Sequence, residues 1–340
     1  MTLAAILIVI VAASATYYYI STRPTTVEPV EFKIAFVENT YSYVSWARSL
    51  TAGLHNAIQQ LNRTDRILRL QELYQIPQTE LASVVQQLIA AGTDLIIVPE
   101  VAEESTAVAV ADQYPNVYFL GMGGWSTTSL RNNVAIASFD VLEGYYLAGI
   151  LSGGLTNTST IGWMSAFDYP DNARNFNLLI EGAKRTNPNV KGIYAFTGSW
   201  DDPVKGAQSA GALIDGGADI VVSVGDGMTD GAIKEAERRG KYSVGCYNDQ
   251  HALAPRTVFT SVIYDQTLYF KTALQSIENG TFGNKFWKFG IKEGVVDIGP
   301  YYEFANIIPQ SAQNLIVQVR NDVKAGTFVI PTVSDTMPPK

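Results

Sequence analysis

"AAGTDLIIV" (residues 90–98) and "DGGADIVVSV" (residues 215–224) repeat one pattern: a helical stretch ends on glycine, an aspartate turns the chain, and branched apolar residues follow. A short apolar run bounded by turn residues reads as a strand buried on both faces, the habit of parallel sheets. Asp94 and Asp219 are 125 positions apart, and Tyr118 and Tyr242, in the strands that come next, are 124 apart. The shared spacing predicts an internal repeat, with the two aspartates as loop-to-strand turn residues.

Outward from these stretches, apolar runs alternate with amphipathic helical segments. The first series is 32–38 ("FKIAFVE"), 67–73, 94–99 and 117–122; the second is 160–166 ("TIGWMSA"), 192–198, 219–225 and 241–247. This alternation predicts an α/β fold of two lobes, each a mostly parallel sheet flanked by helices. Further strands at 256–265 and 294–299 return to the lobes. Lobe 1 is expected over 32–152 with about 256–285, and lobe 2 over 153–255 with about 286–330. Several crossovers then form a hinge, and the carboxyl ends of the strands face a cleft suited to a ligand gripped from both sides. The tail from 331 to 340 reads as disordered.

Composition narrows the function. The 340 residues are 47% hydrophobic with net charge -8, so a nucleic-acid partner, which needs clustered Lys and Arg, is disfavoured. One cysteine, Cys246, and two histidines, His55 and His251, exclude an internal disulfide and the usual zinc sites. Leu3 to Ile20 is apolar nearly throughout, close to the ~20 residues that span a bilayer. Residues 1–22 therefore read as a membrane segment, either a retained anchor with Tyr17, Tyr18, Tyr19 and Arg23 at the interface, which we favour, or a signal cleaved near Ala15. Residues 23–31 form a Pro/Thr-rich linker.

The adjacent acids of "GSWDDPVKG" (198–206) do not by themselves make a catalytic pair, because glycosidase carboxylates stand about 5–10 Å apart across the substrate. Asp202 before Pro203 is a helix start, its carboxylate capping free N–H groups. Trp200 follows a strand end, where it either packs on the next helix or offers a stacking surface. Trp46, in "VENTYSYVSW", stands in the corresponding region of the first lobe, so one aromatic from each lobe can sandwich a planar ring. "GDGMTDG" (225–231) matches neither glycine-rich phosphate motif, and Asp226 at its strand end suits an acceptor of ligand N–H groups. No nucleophile with a base is visible, so no catalytic residue, cofactor or metal is assigned. Asn62, Asn157 and Asn279 head glycosylation-type sequons.

"GSWDDPVKG", "GADIVVSVGDG", "GCYNDQHALAP" and "TSVIYD", in that order, with "EGYYLAGILSG" (143–153) before them, resemble the basic membrane protein family of ABC transporter substrate-binding proteins, in particular its purine-nucleoside receptors. The likeness runs from about Phe32 to Phe282. It implies a periplasmic-binding-protein type I fold that holds a purine nucleoside or base between aromatic rings and does no chemistry on it. Trp200 and Trp46 match the stacking aromatics, and Asp171 and Asp226 match acidic positions of the tryptophan-bearing members. Tyr247, Asn248 and Asp249 stand where nucleoside receptors carry a carboxylate for the ribose, and Ile263-Tyr264 stands where they carry a lysine. These departures point to a free base. With Asn39 and Phe167, these residues complete the candidate ligand contacts. The implied protein is extracytoplasmic, anchored, monomeric and partnered by an ABC permease. A sensor subunit that reports cleft closure, or a purine-metabolising enzyme, would be the alternatives.

Overall fold

The computed structural model describes residues 29–339 apart from 123 and 140. The apolar run and most of the linker lie outside these residues. Among the described residues no helix is long and apolar enough to cross a membrane.

Two six-stranded sheets carry the fold. The first holds β1 (Val30–Val37), β2 (Arg66–Leu73), β3 (Leu95–Val98), β4 (Tyr118–Met122), β5 (Val134–Phe139) and β11 (Phe286–Phe289), in the order β11-β5-β4-β3-β1-β2, all parallel. The second holds β6 (Thr160–Ser165), β7 (Lys191–Phe196), β8 (Ile220–Val224), β9 (Tyr242–Tyr247), β10 (Val258–Tyr264) and β12 (Val296–Ile298), in the order β12-β10-β9-β8-β6-β7. Only β12 runs antiparallel to its neighbour. The two orders superimpose strand for strand. β3 and β8 are buried at every position, as branched apolar strands between covered faces must be.

Both turn aspartates tie the repeat together. An Asp94 oxygen accepts from the Lys33 amide at 2.7 Å, and an Asp219 oxygen accepts from the Asn157 and Thr158 amides at 2.6 and 3.1 Å. Each thus pins its own strand to the chain at or before the first strand of its lobe.

The late strands correct the expected partition. β10 pairs with β9 in the second sheet, as β5 pairs with β4 in the first, because its apolar residues continue that buried surface. β11 then joins the first sheet beside β5. Neither β5 nor β11 is evident in the sequence. "FWKF" alternates exposed and half-buried residues on a sheet edge, so it lacks a buried strand's continuous apolar run. The helix Val141–Leu155 (residues from the "EGYYLAGILSG" stretch) also belongs with the second sheet: the Tyr145 hydroxyl donates to the Ser223 carbonyl at 3.4 Å. The chain therefore passes between lobes after β5, after β10 and after β11. The tail is likewise packed, not loose. Asn177 Nδ2 donates to the carbonyls of Ser334 and Thr336, the Tyr194 hydroxyl to that of Pro338, and Val333 and Met337 rest on the core.

In chain order the helices are α1 (Ser45–Leu61), α2 (Gln78–Ala90), α3 (Glu104–Ala111), α4 (Val141–Leu155), α5 (Pro170–Lys184), α6 (Pro203–Asp215), α7 (Gly227–Arg238), α8 (Thr267–Glu278) and α9 (Gln310–Ala325). Helices α6 and α7 meet backbone to backbone. A Cβ on Gly206 would lie 2.0 Å from the Met228 carbonyl oxygen, one on Gly227 2.2 Å from that of Asp201, and one on Gly231 1.9 Å from that of Pro203. Only glycine permits this approach. Gly231→Ala must push the helices apart, and the expected cost is about 1–3 kcal/mol, read as a lower urea midpoint with an unchanged slope.

Candidate ligand-binding cleft

Parallel α/β sheets bind ligands where the strand order reverses, outside the carboxyl ends of the strands. Here the reversals fall between β1 and β3 and between β6 and β8. Glu38 and Asn39 follow β1, and Glu100 lies two residues past β3; Phe167 follows β6, and Asp226 lies two residues past β8. The loop after β7 carries Trp200, β9 ends on Tyr247, and the first turn of α1 carries Trp46.

The two lobes touch through these residues. The Trp46 amide donates to Asp226 Oδ1 at 2.8 Å, and Asn248 Nδ2 donates to the Ser45 carbonyl at 2.8 Å. Trp46 Nε1 also donates to Glu100 Oε1 at 2.7 Å, and its ring meets that of Tyr247 at 5.5 Å and 55°. Tyr247 has φ 68°, a left-handed conformation that costs a bulky residue energy and gathers at functional sites. Trp46, Glu100, Asp226, Tyr247 and Asn248 thus form one group across the cleft.

Trp200 leads a second group. Its ring lies edge-on to Phe167 at 5.8 Å and tilted against Tyr169 at 6.4 Å, and Phe167 and Tyr169 are exposed. Its carbonyl accepts from the amides of Asp226 and Met228 at 3.2 and 3.1 Å, which fixes Trp200 beside Asp226. Asp202 Oδ1 accepts from the amides of Val204 and Lys205 at 2.9 and 3.1 Å, with Pro203 at the first helical position. It is the cap that the sequence implies. The other two candidate acids are engaged elsewhere: Asp171 is exposed and paired with Arg174, while Asp249 accepts from the Tyr302 hydroxyl and the His251 amide.

Sequence reasoning missed the acids of the first lobe. Glu38 is fully buried; its Oε1 accepts from the amides of Asn39 and Thr40 at 3.0 and 3.3 Å, and its carboxyl hydrogen-bonds the Glu100 side chain. Glu103 is fully buried, and the Asn39 side chain hydrogen-bonds to it. Glu100 and Glu103 both act on the charge of Glu38, and Glu100 acts on that of Glu103. Burial, reinforced by the neighbouring Glu100, lifts Glu38 to about 9 and Glu103 to about 7. Asp226 also rises to about 7, chiefly by burial and against the favourable Trp46 amide, with Asp201 and Glu100 adding to the rise. Burial raises Glu100 as well. The available signal was position: "FVE" and "VPE" both place a glutamate just past a strand, at the switch point. Among the described residues, no group of His, Cys, Asp and Glu is arranged to hold a metal.

A carboxyl whose folded value lies above its ordinary 4.5 keeps a proton that the unfolded chain releases, so stability falls as pH rises from about 4.5 toward about 9. Glu38→Gln removes the titrating group and with it this pH dependence. The expected gain is at least about 2 kcal/mol near pH 8 and little near pH 4, checked by denaturant melts of both proteins at the two pH values.

The chain is 27% identical over 242 residues to a purine-binding protein of Brucella abortus, covering 71% of this chain and 67% of that protein. It is 24% identical over 220 residues to an ABC transporter nucleoside-binding protein of Lactococcus lactis, covering 59% of this chain and 61% of that one. An ABC transporter solute-binding protein of Aeropyrum pernix shares the fold at 19% identity and a TM-score of 0.75, over 89% of this chain and 95% of that one. The model of the PnrA-like ABC transporter substrate-binding proteins, a family of binding proteins and not of enzymes, matches residues 35–333. On that match, over a chain whose two switch points face one cleft, the protein belongs to the Bmp family.

Proposed function

We propose that the cleft takes a purine-type ring between Trp46 and Trp200, and that the protein, working as a monomer outside the cytoplasm and held at the membrane by residues 1–22, delivers this ligand to an ABC permease. The observation that carries the reading is the convergence of Trp46, Glu100 and Asp226 on two switch points that face each other, with Trp200 fixed beside Asp226. Indole faces attract a flat heterocycle, and carboxylates at its edge accept ring and exocyclic N–H groups. Relatives named for purine and nucleoside binding support the same ligand class.

A free base fits better than a nucleoside. Ribose hydroxyls are held best by a carboxylate with a cation nearby, and here Asp249 is occupied by Tyr302 and His251 while Ile263 is a half-buried apolar side chain. Closure would follow from Trp46, whose amide meets the opposite lobe while its ring faces the cleft.

Mass spectrometry of the small molecule that co-purifies with the protein tests the class: a purine or related heterocycle is expected, and a sugar or amino acid would overturn it. Calorimetry is expected to give tighter binding of adenine than of adenosine. Trp200→Ala and Trp46→Ala should each weaken binding by about 1–3 kcal/mol, the worth of one stacked ring. Incubation with nucleosides should release no base, since release would make the protein an enzyme.

A further inference from the structure

Three glycosylation-type sequons stand outside the ligand reading, at Asn62-Arg63-Thr64, Asn157-Thr158-Ser159 and Asn279-Gly280-Thr281. The fold brings two of them together. Asn62 follows the last residue of α1, and Asn279 follows the last residue of α8. These helices lie side by side: Lys271 Nζ donates to Gln60 Oε1 at 2.8 Å, Arg63 Nη2 to Glu278 Oε1 at 2.7 Å and Arg66 Nη1 to Glu278 Oε2 at 3.3 Å. The strands that follow, β2 and β11, run parallel to the rest of the first sheet, so both asparagines lie at the edge where its strands begin. The cleft lies at the opposite edge. β1 also starts here, with the Val30 amide on the Asp65 carbonyl at 3.0 Å, so the linker enters lobe 1 at the same place.

N-glycosylation needs the asparagine Nδ2 and the hydroxyl two residues on to be reachable together, as on a surface loop. All residues of the Asn62 and Asn279 sequons are exposed. Asn62 Oδ1 accepts from the Leu68 amide at 2.8 Å, which fixes the carboxamide and leaves Nδ2 to solvent. Thr64 lies in a tight turn closed by the Arg63 amide on the Arg66 carbonyl at 3.0 Å. Asn279 carries no side-chain hydrogen bond among the described residues; Gly280, at φ 67°, turns the chain out of α8, and Thr281 Oγ1 makes only a long 3.4 Å bond to the Ser276 carbonyl. Asn157 differs. Ser159 is half-buried at φ 55°, its hydroxyl accepts from Asn187 Nδ2 at 3.0 Å, and Asp219 holds the amides of Asn157 and Thr158. A loop fastened in this way must open before a transferase can bend it.

Resting on the extracytoplasmic reading above, we propose that Asn62 and Asn279 carry N-linked glycans, a pair of modification sites beside the linker, and that Asn157 does not. The donor is a glycan joined through its anomeric carbon to a lipid-borne phosphate, and the catalyst is a separate transferase. Nδ2 forms a bond to the anomeric carbon, the bond from that carbon to the phosphate oxygen breaks, the lipid phosphate leaves with the electron pair, and Nδ2 gives up one proton. Glycans at this edge add hydrated bulk next to the linker and leave the mouth of the cleft uncovered.

The test is peptide mapping by mass spectrometry on full-chain protein purified from the membranes of the cells that make it naturally. Peptides with Asn62 and Asn279 are expected to carry added sugar mass, and the peptide with Asn157 none. Thr64→Ala and Thr281→Ala should each remove one glycan from the intact mass. Thr64→Ser and Thr281→Ser keep the hydroxyl and should retain it, which separates loss of an acceptor from a damaged fold. Either asparagine found unmodified, in protein that added protease reaches on cells stripped of any outer envelope, overturns the proposal and leaves the extracytoplasmic reading standing. Sugar on Asn157 overturns it as well, because fastening of the loop would then not decide which asparagine is used. Protein that protease reaches only after lysis overturns the extracytoplasmic reading and the glycan sites with it.

Discussion

Helices α6 and α7 approach until carbonyl oxygens occupy the space where side chains would be, and the ligand-facing half of the second lobe depends on that contact. Gly206 and Gly231 seat the helices, and Gly227 seats the start of α7 on the Asp201 carbonyl. The loop after β7 and the loop after β8 are thereby held as one unit. Trp200 and Asp226 owe their adjacency to it, since the Trp200 carbonyl takes the amides of Asp226 and Met228. Capping by Asp202 fixes the other side of the same loop. A wide aromatic surface can be presented at the end of a strand only if the backbone beneath it does not move, and here the glycines supply that rigidity.

The two halves share a skeleton and divide the chemistry. Glu100 and Asp226 occupy equivalent places, two residues past the third strand of each lobe, so the repeat sets acid against acid across the cleft. The aromatics are not equivalent: Trp46 belongs to the helix after the first strand of its lobe, Trp200 to the loop after the second strand of its own. The paired acids follow the internal repeat, and the two tryptophans do not.

Much of the architecture is legible in the sequence because it rests on local pattern. Buried parallel strands show as unbroken branched runs, and the turn aspartates repeat at a constant spacing. The helix start at Asp202-Pro203 is written in two adjacent residues. What the sequence hides is non-local. β11 pairs by edge hydrogen bonds that place few demands on its side chains, so "FWKF" carries no strand pattern. The passage of α4 to the second sheet and of α8 back to the first is set by which surface each helix covers, not by its own period. Asp171 and Asp249 stand at plausible positions, yet their charge is taken by Arg174 and by Tyr302, partners that only the fold brings near. Glu38 and Glu103 escape notice for the opposite reason. A buried acid looks in sequence like any surface acid, and only its surroundings reveal the cost of charging it.

Trp46 connects these observations. Its backbone amide crosses to Asp226, its indole N–H holds Glu100, and its ring meets Tyr247. An open cleft would leave Asp226 hydrated and free to ionise. Here it faces Glu100 of the first lobe and has Asp201 beside it in its own, a dry setting where burial and like charge both oppose ionisation. The Trp46 amide offsets part of that opposition, and N–H groups on a ligand edge would offset more. Closure without either leaves the acids to resolve their repulsion by holding protons. The buried acids therefore oppose one another where the two lobes meet, and a single residue, Trp46, ties them together through its backbone amide and its indole N–H.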